Sequence, residues 1–325
     1  MPENTLLSIC IPAYNRPLWF RRALSSIVVG NEKYAASIEI IITDDSDDRE
    51  CEKIAQEVLK EWTGDYSVDF NYDSNYIYEH HSVRLGMQEN WNRSICLATG
   101  RYVLVLHDDD FLLSGAIAKL LKYIETETYA ALLFGVEVVD QSERVMKRQV
   151  FPTNQFLSPR EALIKLLSNS SFVRFPAIVI ARSVFSEVGM FRSEWREPCD
   201  LDMWIRIFAR YGLYCVQDVT VAYRVHDHAL TMGTFNQETV NLLLGLFVEA
   251  EQLNILNKAE IESCKSLFLH QFILSGAWRQ LRRGRLQNFR RVMDLLEMRS
   301  LRHIVCPQKW WLVQFSFRVL ARMTF

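Results

Sequence analysis

The sequence predicts an α/β fold, a largely parallel sheet flanked by helices and followed by a helical extension. Three observations carry that expectation. Over the first 225 residues, short apolar runs alternate with amphipathic stretches at helical spacing, the pattern of right-handed βαβ units. The run IEIIIT at 38–43 is rich in β-branched residues and almost continuously apolar, as in a strand buried on both faces. Beyond about Thr231 strand signals disappear and only helical patterns remain. With 325 residues, 49% of them hydrophobic and 23% charged, the chain can fill a packed core, which excludes a disordered or fibrous polymer. The expected division is a domain over 1–230 and a helical region over 231–325, with no internal repeat and no low-complexity linker.

The elements follow in order. Residues 6–12 (LLSICIP) form a compact strand ending at Pro12. Helical spacing covers 17–29, and Pro17 suits a first turn, where its missing N–H would have no helical partner anyway. Residues 38–43 give the second strand, 49–62 a helix, 66–72 a short strand and 84–99 a helix. Gly100 closes that helix before a strand over 102–106. Ser158-Pro159-Arg160-Glu161 combines a capping box with proline at the first helical position, so another helix starts there.

The net charge of −2 is unevenly spread. From Gly276 onward eleven Lys and Arg face two acids, so that segment is +9 and the remainder −11. A near-neutral total disfavours a nucleic-acid binder. The seven cysteines are scattered without a CxxC pair and read as buried or idle thiols of a reducing compartment, neither a disulfide framework nor a zinc site. The opening MPENTLLSIC has no cationic leader, and no stretch approaches the roughly 18 uncharged apolar residues of a spanning helix. A cytoplasmic protein is expected.

In an open parallel sheet, ligands gather beyond the carboxyl ends of the strands. Three such ends carry unusual residues: Pro12-Ala13-Tyr14-Asn15-Arg16, Asp44-Asp45-Ser46-Asp47-Asp48 and His107-Asp108-Asp109-Asp110. Crowded carboxylates are stable at neutral pH when they hold a divalent cation or the donor groups of a ligand. Asp47 and Asp48 serve equally well as caps of the helix that follows. Three successive acids after YVLVL exceed what one cap requires, so 108–110 are read as functional.

These residues carry a resemblance. IPAYNRP, IIITDDSDD and ATGRYVLVLHDDDFL, followed in order by EVGMF, PCDLDMWIRI and YRVH, resemble family 2 glycosyltransferases of the GT-A fold, of the bacterial surface-polysaccharide type, over roughly residues 5–230. The resemblance implies a Rossmann-like mixed sheet flanked by helices. It also implies transfer of a sugar, in one inverting displacement, from a nucleotide diphosphate sugar to an acceptor hydroxyl. Mn²⁺ or Mg²⁺ would offset the charge of the leaving diphosphate. The family's DxD-type metal motif falls on 107–110, with His107 where an acid is usual. Asp109, Asp110 and His226 are then the metal ligands, with Asp108 beside them in the donor site. Nucleotide-sugar recognition maps to Pro12, Tyr14, Arg16, Asp44, Asp45 and Arg84. Tyr14 is equally well a packing aromatic, and Arg84, Asn90 and Asn92 either line the donor pocket or sit on a solvated helix face.

Within CDLDMW, Asp200 takes the place of the catalytic base, which removes the acceptor proton as the new bond forms. Cys199 stands where the family has a glutamate, and Asp200 is otherwise an N-cap. Asp202 would begin the helix carrying Trp204 and Arg206. His80 and His81 lack the partner spacing of a metal site and receive no role.

The basic tail is a separate matter. Residues 268–278 are apolar enough to pack on the catalytic domain. Over 308–325, Trp310, Val313, Phe317 and Leu320 share one helical side, with Gln314, Arg318 and Arg322 on another. An aromatic face beside a basic one suits an anionic membrane surface, on the inner face of the cell membrane, and a glycan acceptor on a lipid carrier would fit that place. Packed helices with solvated arginines are the alternative. A nucleotidyltransferase is disfavoured because no GxGxxG or GxxxxGK(S/T) loop occurs. A non-catalytic membrane-associated scaffold of the same fold is the other reading, resting on the His107 and Cys199 departures.

Overall fold

The computed structural model describes residues 5–63, 75–226 and 235–323; the strand expected at 66–72 lies outside the described residues. Contacts divide the chain into two compact units, one of 1–157, 174–193 and 213–226, the other of 158–173, 194–212 and 227–325. The single cut expected at 230/231 does not reproduce this grouping. Two helices that precede it in sequence make their contacts with the C-terminal helices, because apolar helix faces choose partners by shape and not by chain order.

The first unit is built on one mixed sheet. Its strands are β1 (Leu7–Ala13), β2 (Ile38–Asp44), β3 (Tyr76–His80), β4 (Tyr102–Val105), β5 (Phe111–Leu112), β6 (Ala131–Val139), β7 (Val145–Gln149), β8 (Gln155–Leu157), β9 (Ile178–Ala181) and β10 (Leu213–Arg224). They run in the order β3-β2-β1-β4-β9-β6-β10-β5, with β7 on β6 and β8 on β10. β3, β2, β1 and β4 are mutually parallel, while β9 lies antiparallel between β4 and β6. The helices of this unit are α1 (Pro17–Val28), α2 (Glu50–Thr63), α3 (Met87–Leu97), α4 (Ala116–Thr126) and, after α5 (Pro159–Leu167) of the other unit, α6 (Arg182–Val188).

The central strands form where the apolar runs predicted them: every residue of β1 and β2 is buried. Pro12 fits because pairing of β1 with β4 ends at Cys10↔Val105, leaving one side of the backbone without a ladder to interrupt. β3 arises from a segment that reads in sequence as polar and aromatic, with no strand expected there. α3 begins at Met87 and not at 84, after Gly86 at φ +89°, a left-handed conformation that suits glycine.

One buried acid in β2 ties the amino ends of the strands together. The Glu39 carboxylate accepts hydrogen bonds from Ser8 Oγ (2.5 Å), Thr99 N (2.6 Å), Thr99 Oγ1 (2.8 Å) and Gly100 N (2.9 Å). Four donors offset the cost of burying the charge. The close approach demands glycine at 100: an added Cβ would stand 2.6 Å from Ser8 Oγ and 2.8 Å from Ser8 N.

The second unit is helical. It contains α5, α7 (Cys199–Tyr211), α8 (Gln237–Gln252), α9 (Lys258–Arg282), α10 (Leu286–Asp294) and α11 (Gln308–Met323). The capping box at Ser158 is present, with Ser158 N donating to Glu161 Oε2 (2.9 Å), and Asn257 with Glu260 repeats it at α9. Phe247 packs edge-on against Phe268, and Phe289 against Phe317. Phe317, expected on an outward aromatic side of the last helix, therefore turns into this core. No helix among the described residues is long and apolar enough to cross a membrane.

Gly100→Ala should destabilise the protein by about 1–3 kcal/mol, the usual cost of overpacking. Urea unfolding of the two proteins measures this, and equal midpoints would contradict it.

Candidate active site

Because β2, β1 and β4 are neighbours in the sheet, their carboxyl ends bring three motifs together within the first unit. The loop after β1 is clasped from both sides. Tyr14 N donates to Asp108 Oδ2 (2.9 Å) and Asn15 N to Ser46 Oγ (2.8 Å). Asn15 sits at φ +52°, a left-handed turn that asparagine tolerates better than most residues. Its side chain exchanges two hydrogen bonds with Asp47, whereas Asp48 caps α2 through Glu50 N (3.0 Å).

That turn aims Arg16 at the acids. Arg16 Nη1 lies 2.7 Å from Asp108 Oδ1 and 2.9 Å from Asp109 Oδ2. On its other side, the same Asp109 oxygen meets His226 Nε2 at 2.8 Å. Asp110 Oδ1 accepts from Arg224 N (2.8 Å). The buried Arg224 guanidinium donates Nε to Asp109 O (2.8 Å) and Nη2 to Glu143 Oε1 (2.9 Å). Arg224, the second residue of YRVH, thus belongs to the site by geometry, which its sequence motif alone did not disclose.

Burial and mutual repulsion separate the three acids. Desolvation pushes Asp108 up to about 7, against the pull of Arg16. Asp110 is raised well above the usual range by desolvation and by the charge of Asp109. Burial also works against the Asp109 charge, but the His226 hydrogen bond and Arg16 overcome it and hold Asp109 low. Asp109 therefore keeps the negative charge. His107 is lowered to about 4, chiefly by burial, so its imidazole is neutral at physiological pH. It stacks on Trp91 (5.1 Å between centroids, 24°) and lies 4.6 Å from the Phe175 ring.

The donor set fits a divalent cation. His107, Asp109 and Asp110 each offer one atom within 4.8 Å of the others. Asp110 Oδ2 is buried with no hydrogen-bond partner among the described residues, and so is His107 Nε2. Two carboxylates suit a hard ion such as Mg²⁺ or Mn²⁺, and a neutral imidazole is compatible with a transition metal. Of the expected ligands, Asp109 and Asp110 fall in this group and His226 adjoins it through Asp109. His107, which in sequence marks only a departure from the motif, joins the group.

The expected nucleotide-sugar residues are placed as follows. Pro12 is buried in β1. Asp44 is fully buried, accepting from Ser46 N (2.9 Å) and Tyr78 Oη (2.5 Å). Asp45 accepts from Leu85 N (3.1 Å) and Gly86 N (2.7 Å) and meets His81 Nδ1 at 3.0 Å. It thereby fixes the 81–86 loop, in which the Arg84 guanidinium stands 3.9 Å over the Tyr14 ring, within cation–π range. Tyr14 and Arg84 thus meet, and His81 has a positioning role that its spacing did not show. Asn90 donates to Ala13 O (3.4 Å), and Asn92 clasps Phe191 through N and O, so both are buried tethers.

Asp200 belongs to the second unit. It lies in the first turn of α7, where Leu201 N donates to its Oδ1 (2.7 Å). Desolvation raises it to about 6 against those backbone bonds. That is a value suited to a general base near neutral pH. The cap position is Pro198, Cys199 is buried, and Asp202 pairs with Arg206 (2.8 Å) one turn on, so the helix begins before Asp202.

A mixed sheet with acids at its strand ends and helices following defines a GT-A fold enzyme. Residues 8–189 match Glycosyl transferase family 2, and the chain belongs to that family of glycosyltransferases. It is similar to the abequosyltransferase RfbV of Salmonella typhimurium, 34% identical over 38% of this chain and 33% of that one. With the GalNAc(5)-diNAcBac-PP-undecaprenol β-1,3-glucosyltransferase of Campylobacter jejuni it is 24% identical over 73% and 67% of the two chains. Among solved structures, S. aureus TarS 1–349 in complex with UDP-GlcNAc superposes with TM-score 0.61 at 13% identity, covering 98% of this chain and 88% of that one. The mannosyltransferase PcManGT from Pyrobaculum calidifontis, in complex with GDP-Man and Mn²⁺, gives 0.53 at 14%, covering 98% and 86%.

Replacing Asp45 with alanine should release the 81–86 loop. Amide exchange at Leu85 and Gly86 should then accelerate about tenfold or more, as expected for losing hydrogen bonds to a charged acceptor. Unchanged exchange would show the loop is held by other means.

Proposed function

We propose that this protein is a metal-dependent, inverting hexosyltransferase. It would move a sugar from a nucleotide diphosphate sugar to an acceptor hydroxyl on a lipid-linked or surface-polysaccharide glycan. The observation that carries the reading is the grouping of His107, Asp109 and Asp110 at the carboxyl end of β4, between Arg16 and His226. The UDP-GlcNAc complex of TarS and the GDP-Man complex of PcManGT support a nucleotide-sugar donor, and the Mn²⁺ of the latter supports a divalent cation, Mn²⁺ or Mg²⁺. The names of RfbV and the Campylobacter enzyme support transfer of a sugar. Residues 1–230 would carry the catalysis, and 231–325 would hold the protein at the cytoplasmic face of the membrane.

In this reading Pro12, Tyr14, Asp44, Asp45 and Arg84 shape the nucleotide side of the donor pocket. Asp108 orients Arg16, whose guanidinium is matched to a diphosphate. Asp109, Asp110, His107 and His226 would hold the cation, which when bound offsets the charge gathering on the leaving diphosphate. Asp200 takes the acceptor hydroxyl proton. The acceptor oxygen bonds to the anomeric carbon as the bond from that carbon to the diphosphate breaks, with inversion.

The direct test is a donor screen with purified protein that reads the released nucleotide diphosphate. Asp109→Ala and Asp200→Asn should each lower kcat by about 10²–10⁴ with circular dichroism unchanged. Full activity in either variant would overturn the assignment. The base must be ionised to act, and burial has raised Asp200 to about 6. The rate should therefore rise with pH through a limb near 6 and level above it. A limb near the ordinary aspartate value of about 3.9 would remove Asp200 from that role.

A further inference from the structure

The last helix of the second unit carries an apolar face that nothing among the described residues covers. Trp311, Leu312, Phe315 and Val319 of α11 are 57%, 69%, 59% and 42% exposed. At 3.6 residues per turn they form a stripe about 100° wide. Trp311 and Phe315 stack on it with centroids 5.9 Å apart. This is not the side expected from sequence, since Phe317 faces inward between Trp278 and Phe289.

Charge frames the stripe. Arg322 lies on it, Arg318 and Lys309 border its two sides, and α11 contains no acid. Along the Arg318 edge runs a cleft of about 500 Å³, whose polar lining includes Gln314, Arg318, Arg302 and Glu297. Glu297 steadies both cations, accepting from Arg302 Nε at its carbonyl (2.8 Å) and pairing with Arg318 Nη2 through its carboxylate (3.0 Å). Gln314 is only 8% exposed, and its Oε1 is buried without a hydrogen-bond partner among the described residues.

We propose that this face of α11 lies in the surface of an anionic phospholipid bilayer and that the cleft takes a lipid headgroup. Trp311, Leu312, Phe315 and Val319 enter the acyl boundary while the cations that flank them stay at headgroup depth. The headgroup phosphate meets Arg302 and Arg318, and a headgroup hydroxyl or ammonium donates to Gln314 Oε1. A second copy of the chain is the poorer occupant, because a two-fold contact would set an acid-free, cationic helix against itself. The inference rests on the membrane-surface part of the function proposed above and names its contact, but it requires neither donor nor chemistry.

The test is co-sedimentation of the full chain with phosphatidylglycerol/phosphatidylethanolamine vesicles and with pure phosphatidylcholine vesicles. Binding should be confined to the anionic vesicles and weaken with salt. Trp311→Ser with Phe315→Ser should weaken it tenfold or more, and Arg302→Gln with Arg318→Gln at least threefold. Val248→Ser with Leu253→Ser, comparably exposed on and just after α8, should leave it unchanged. The proposal is overturned if anionic vesicles are not bound, if phosphatidylcholine binds equally well, or if the Trp311/Phe315 variant binds like the unsubstituted protein. It is also overturned if that variant instead dissociates a dimer in sedimentation velocity. Nucleotide release from the donor, followed in parallel, separates the two readings: failure of vesicle binding with release intact removes this inference and the membrane-surface part it rests on, and leaves the sugar transfer standing.

Discussion

Three consecutive carboxylates at the end of a buried strand set the terms for the rest of the first unit. Asp108 and Asp110 are almost fully buried, where like charges cannot all persist. The structure resolves the conflict by unequal support. Asp109 receives Arg16 on one side and His226 on the other, while desolvation drives its neighbours toward their neutral forms. One strong negative charge remains, flanked by acids whose protonation a cation would reverse. A polar network of this kind is costly when half satisfied, and Asp110 Oδ2 and His107 Nε2 are its atoms without a hydrogen-bond partner among the described residues.

The scaffold makes that arrangement possible by holding both of the neighbouring loops. β1 lies between the two acid-bearing strands, so the turn through Asn15 can be bonded to Ser46 on one side and Asp108 on the other. Asp45 does the same for the 81–86 loop. Several of the acids at the strand ends therefore serve the protein's own backbone. At the opposite end of the strands, Glu39 and its four donors fix the register of β1 and β2 without adding a free charge.

The second unit divides its polarity differently. Its interior is made by aromatic contacts such as Phe247 with Phe268, with Arg206 held there by the buried Asp202, while Arg302 and Arg318 lie at its surface. The same helix that supplies Phe317 to the core presents Trp311 and Phe315 outward. A helix with two apolar sides and cations at their borders has one side more than its own fold uses.

The sequence by itself determined the central strands, the capping box at Ser158, the order of the motifs and the charge split at Gly276, because each rests on local spacing or composition. It also singled out Asp109, Arg16 and Asp200, since acids and arginine after apolar runs are conspicuous in one dimension. Only the tertiary structure decided which of those residues meet. His107 and Arg224 enter the acidic site, His81 becomes a loop anchor, and Asn90 and Asn92 become tethers, through partners that are distant in sequence. β3 escaped notice because it is a short, mostly half-buried mixture of aromatic, aliphatic and polar residues, and its hydrogen bonds come from β2, not from its own pattern. The outward face of α11 was likewise undecided in sequence: two adjacent stripes are apolar, and the helix that packs against one of them leaves the other free.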